Sequence, residues 1–118
     1  PVDRIPEAVA VSNRIADKYG LAIRMVSHAG DGNIHLTLFR GELPEDEWDQ
    51  RLTGFENELY EIIYRLGGRL SGEHGIGYKR KDLMQKFTDP VELDMMRRIK
   101  LALDPNLILN PGKIFDVE

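Results

Sequence analysis

The sequence predicts an α+β fold: a small antiparallel sheet, a hairpin around Asp31-Gly32, covered on one face by helices. Three observations lead there. Two β-rich runs, residues 21–27 and 34–39, flank Asp31-Gly32, the residue pair favoured for a two-residue type I′ turn. Trp48, Leu52, Phe55, Leu59, Ile62 and Leu66 recur at three- and four-residue steps, the apolar stripe of an amphipathic helix. The elements run α-β-β-α-(β)-α, an order that sets helices on one face of an antiparallel sheet.

Each element has local signals. Residues 6–19 carry Val9, Ile15 and Ala16 among charges, a short helix that Gly20 stops. The long helix starts at Pro44 and ends at Gly67-Gly68. Arg69-Leu70-Ser71 reads as a short strand, running into the glycine-punctuated loop SGEHGIGYKRK. Asp89-Pro90-Val91-Glu92 opens the last helix, with Asp as N-cap, Pro in the first turn and Glu three residues on. That helix runs to Leu103, with Met95, Ile99 and Leu103 on one face, and Asp104-Pro105 stops it. So few strands make a poor independent sheet, which predicts further strands outside this chain.

Composition narrows the chemistry. The 118 residues suit one domain, and 42% hydrophobic with 31% charged residues is an ordinary globular balance. A net charge of −4 argues against the clustered basic face of a nucleic-acid binder. No apolar run approaches the roughly 18 residues of a membrane span, and no apolar leader opens the chain. The expected location is cytoplasmic. The first residue is Pro rather than Met, which predicts a fragment or a processed chain. Cysteine is absent, so any metal must be held by His, Asp or Glu.

The three histidines fall in two glycine-rich stretches, SHAGDGNIHLTLF and SGEHGIG. With Asp31-Gly32 as the turn, Gly30 faces Asn33, Ala29 faces Ile34 and His28 faces His35. Directly opposed residues have Cβ atoms about 4.5–5.5 Å apart. Alternation places Ile23, Met25, Ser27, Ala29, Ile34, Leu36 and Leu38 on an apolar face. Arg24, Val26, His28, His35, Thr37 and Phe39 form the other, so the histidines avoid the core. Two imidazoles and a carboxylate suit zinc, manganese or ferrous iron, and His28, His35 and Glu73 make such a set. His74 is then left beside it to move a proton. The stripe from Trp48 to Leu66 and the pair Met95-Met96 read as core. Lys79-Arg80-Lys81 reads as a solvated turn, and Arg24 as half of an ion pair.

HAGDGNIHLTLF, GGRLSGEHGIGYKRKDLM and MRRIKLALDPNLILNPGKIF occur in that order, and together they resemble the C-terminal region of FAD-linked oxidases of the vanillyl-alcohol oxidase superfamily. Within it, the chain resembles the flavin subunit of glycolate oxidase and the D-lactate and D-2-hydroxyglutarate dehydrogenases. The resemblance implies a ferredoxin-like fragment of a larger cap domain, in a flavoenzyme that oxidises a 2-hydroxy acid to a 2-oxo acid. It implies His28, His35 and Glu73 as ligands of zinc or manganese, and His74 as the acid/base. It places Asn33 and Thr37 at the substrate, and Asn110 and Lys113 beside the flavin. FAD would be bound mainly by an N-terminal domain, a partner that this stretch lacks. The isolated chain is then expected to be inactive and, with an uncovered face, prone to form a homodimer. Full-length relatives are expected in the cytoplasm or at the inner face of a membrane. Without the resemblance, a free-standing two-His-one-carboxylate iron protein and a non-catalytic α+β module also fit these residues.

Overall fold

A computed structural model describes residues 1–117. The chain forms an α+β fold divided into two compact units, Pro1–Glu73 and a second that begins at His74.

In the first unit a 3-10 turn, Val2–Arg4, leads into α1, Ile5–Tyr19. Strands β1, Ala22–His28, and β2, Asn33–Phe39, pair antiparallel, and α2 spans Glu45–Arg65. The acids Glu45, Asp46 and Glu47 fill the first turn of α2, where they complement the positive helix end. Val11, Ile15, Ala16, Leu21, Phe55 and Leu59 form the core, with Ile23, Leu36, Leu38, Trp48 and Ile62 packed around them. The stripe of α2 and the apolar sheet face therefore meet as expected.

Two contacts fix how α1 lies on α2. Gly54 faces the Tyr19 ring so closely that a Cβ there would sit 2.4 Å from Cε1. Glu58 accepts from Lys18 Nζ at 2.6 Å and from the Tyr19 hydroxyl at 3.1 Å. The Lys18 hydrogen bond holds the Glu58 carboxyl below its ordinary pKa, and the same bond raises that of Lys18.

The hairpin departs from the expected turn. Its register pairs His28 with Asn33, Ser27 with Ile34 and Val26 with His35, two residues away from opposing the histidines. Ala29–Asp31 forms a 3-10 turn and Gly32 takes φ of 73°, so the connection is longer than an Asp-Gly type I′ turn. Asp31 is used inside a helical turn here, which the dipeptide alone does not reveal. A shift of two residues keeps every side chain on its face, so the sorting into apolar and histidine faces stands.

The end of α2 aims the segment that follows. Gly68 N–H donates to the Ile63 carbonyl at 2.8 Å and Gly67 N–H to that of Tyr64 at 3.0 Å. With Gly67 at φ of 84°, this is a Schellman motif. Leu70 is buried just beyond it. Residues 69–71 belong to no strand, so the short strand expected there is not formed; among the described residues the sheet has two strands.

The second unit holds α3, Lys81–Phe87, and α4, Pro90–Leu103. Helix α3 is unexpected, its start having read as a solvated turn; Leu83 and Met84 bury one side of it. Asp89 caps α4 as expected, accepting from the Val91 N–H at 2.8 Å. Of the pair expected in the core, Met96 is half-buried and Met95 exposed; Leu93 is buried, and Ile99 and Leu103, on the face of Met95, are exposed. No described helix is long and apolar enough to cross a membrane.

Candidate metal and substrate site

On the non-core face of the hairpin, His28 and His35 lie diagonally across the two strands. Their rings are 5.2 Å apart between centroids and nearly perpendicular, at 81°. Diagonal neighbours in a sheet are within reach of long or aromatic side chains. Glu73 completes the group. Its Oε1 lies 2.7 Å from His35 Nε2 and 3.9 Å from His28 Nε2. One ligand atom from each residue lies within 4.8 Å of the others.

The donor set fits a divalent ion. Nitrogen or oxygen ligands at about 2.0–2.1 Å from a tetrahedral centre stand about 3.4 Å from one another. The observed His–Glu separations fall on either side of that value. The side chains of His28 and Glu73 are 61% and 44% exposed, and that of His35 26%, so the group is open to solvent or substrate on one side. A catalytic ion needs such an open position.

Glu73 arrives by backbone geometry that sequence reading missed. At Gly72 a Cβ would fall 2.6 Å from Asn33 Oδ1, so the chain passes directly against the residue that pairs with His28. The available signal was the glycine immediately before the carboxylate.

The other expected residues are placed as follows. Asn33 is half-buried on the histidine face, opposite His28. Thr37 is exposed on the same face, two residues along β2 from His35 and opposite Arg24. His74 follows Glu73 in the chain, opens the second unit and is exposed. Asn110 and Lys113 are exposed in the tail of the second unit. The geometry thus gathers His28, His35, Glu73 and Asn33 within the first unit.

Comparison with known proteins defines the class. The model of the FAD linked oxidases, C-terminal domain, matches residues 1–114, and the chain belongs to that family. It is 33% identical to a D-lactate dehydrogenase of Anaerostipes hadrus over 97% of this chain and 24% of the relative. A D-lactate dehydrogenase of Archaeoglobus fulgidus is 40% identical over 97% of this chain and 25% of its own length. The glycolate oxidase subunit GlcD of Bacillus subtilis is 37% identical over 98% of this chain and 24% of its own. The chain thus spans about a quarter of the curated relatives it matches.

Proposed function

We propose that this chain is the metal- and substrate-binding C-terminal domain of an FAD-dependent enzyme that oxidises a 2-hydroxy acid to a 2-oxo acid. The convergence of His28, His35 and Glu73 on one point carries the proposal. The family and its D-lactate and glycolate relatives support the reaction class.

His28, His35 and Glu73 would hold zinc or manganese. Such an ion supplies Lewis-acid polarisation of the substrate oxygens, and FAD accepts the two electrons. The residues of the chain do the remaining work. The two imidazoles and the carboxylate, gathered on one face of the hairpin, would leave their exposed side to a 2-hydroxy carboxylate. Asn33 and Thr37 flank that side and offer hydrogen bonds to the substrate. His74 would take the hydroxyl proton of the 2-hydroxy acid on a ring nitrogen. The product would be the 2-oxo acid, with the proton on His74 and the two electrons on FAD.

Metal analysis by mass spectrometry tests the carrying observation. The protein is expected to hold about one zinc or manganese per chain, and the His28→Ala/His35→Ala double variant to hold none. Metal retained in the double variant would sink the site. Bound iron with O₂ consumption and no flavin would favour the two-His-one-carboxylate iron reading instead. In the FAD-loaded full-length protein, His74→Gln is expected to abolish oxidation of D-lactate or glycolate while keeping the metal.

A further inference from the structure

The histidine face of the hairpin continues past the metal-ligating group. Moving away from the turn, the register sets His28 beside Asn33, then Val26 beside His35, then Arg24 beside Thr37. Successive rows on one face lie roughly 6–7 Å apart, the length of two residues along a strand. Glu73 belongs to the first two rows through its contacts with His28 and His35. Val26, in the second row, is 53% exposed. The face thus passes from metal-ligating groups, over an apolar side chain, to a guanidinium and a hydroxyl.

The ion pair expected of Arg24 is not formed. Among the described residues its guanidinium has neither a carboxylate partner nor a hydrogen bond. Other cations of the first unit are paired, Lys18 with Glu58, Arg51 with Glu47 and Arg65 with Glu61. The reason lies in the register. The neighbours of Arg24 on its own face are Ala22, Val26, His35, Thr37 and Phe39, and none is acidic. Arg24 is exposed there, so an anion can reach it. Its planar fork of donors matches two carboxylate oxygens at once.

We propose that Arg24 is a specificity-determining residue that binds a second carboxylate at the far end of the substrate, which makes short 2-hydroxy dicarboxylates the preferred class. This rests on the proposed function, which sets the hydroxyl and the first carboxylate of the substrate at His28, His35 and Glu73. One or two methylenes then lie over Val26, and the second carboxylate reaches Arg24, with the Thr37 hydroxyl beside it. A substrate that ends in a methyl group leaves the guanidinium without its anion. A site built to pair with a polar group discriminates against the analogue that lacks it.

The test uses the FAD-loaded full-length protein, with kcat and KM measured on D-lactate, D-malate and D-2-hydroxyglutarate. The first ends in a methyl group; the other two carry a second carboxylate after one and two methylenes. Wild type is expected to favour one of the dicarboxylates over D-lactate in kcat/KM by about tenfold or more, the scale of one charge-assisted hydrogen bond. Arg24→Met should reduce that ratio about tenfold, chiefly through KM, and Arg24→Lys should fall between the two. Added salt should shrink the preference of wild type more than that of Arg24→Met. Should Arg24→Met fail to fold, Arg24→Lys and the salt series decide. A ratio that Arg24→Met leaves unchanged, whether both activities persist or both fall together, would overturn the role of Arg24 and leave the proposed function intact. If wild type oxidises none of the three, the proposed function fails, and the role of Arg24 falls with it.

Discussion

Gly72 lies against the side chain of Asn33 with no room for a Cβ, which would come within 2.6 Å of Oδ1. Asn33 is the register partner of His28, and Glu73 follows Gly72. The Gly72→Ala variant must therefore displace either the Asn33 amide or the backbone that carries Glu73. Metal affinity is expected to fall about tenfold or more, the usual scale for disturbing what supports a ligand. Competition against a chromophoric chelator measures it. Unchanged affinity would show that the loop has slack the structure does not suggest.

Gly67 makes a related prediction at longer range. Its left-handed conformation ends α2 and starts the descent toward Leu70 and Glu73. An alanine there costs about 1–2 kcal/mol in backbone strain. Gly67→Ala should lower the thermal midpoint by several degrees and weaken metal binding together. A fall in stability with full metal affinity would separate the helix end from the aim of Glu73.

Core and surface apolar residues should respond very differently. Phe55 is 1% exposed at the centre of the first unit, and Phe55→Ala should cost about 3–5 kcal/mol. That is a large part of the roughly 5–15 kcal/mol that holds a domain. Met95→Ala, on an exposed face, should stay within about 0.5 kcal/mol. Thermal denaturation followed by circular dichroism distinguishes them.

The Lys18–Glu58 contact sets a pH window. The lowered Glu58 pKa contributes stability above its ordinary value of about 4.3, and that contribution is lost as pH falls through the lowered value. The raised Lys18 pKa contributes below its ordinary value of about 10.4, and that is lost as pH rises through the raised value. Wild type should therefore exceed Glu58→Gln in thermal midpoint at neutral pH and match it in strong acid. Both side chains reach solvent, so salt should shrink the difference. An equal gap at every pH would mean that packing, not charge, carries the contact.

Residues whose signals are local were legible in the sequence. Asp89 caps α4, Gly67-Gly68 ends α2, and alternation sorted the hairpin faces because period two depends on nothing distant. The exact register was not legible, since Asp31 serves a 3-10 turn as readily as a type I′ turn. Helix α3 was missed because it spans seven residues and its N-cap, Arg80, makes no capping bond from its side chain. Met95, Ile99 and Leu103 show the limit of periodicity: it finds a helix face but not what the face meets. The gathering of His28, His35 and Glu73 was legible as chemistry. The route that brings Glu73 there, past Asn33, was not, because close approach between distant segments leaves only a glycine behind.

The offset between the expected and observed hairpin has a consequence for how this site could change over time. The pairing of β1 with β2 can slip in steps of two residues, and both imidazoles will still point to one side of the sheet. A slip of one residue would send one strand's imidazole into the apolar layer against α1 and α2. Drift in register among descendants of this chain should thus be quantised, with even slips surviving and odd ones purged.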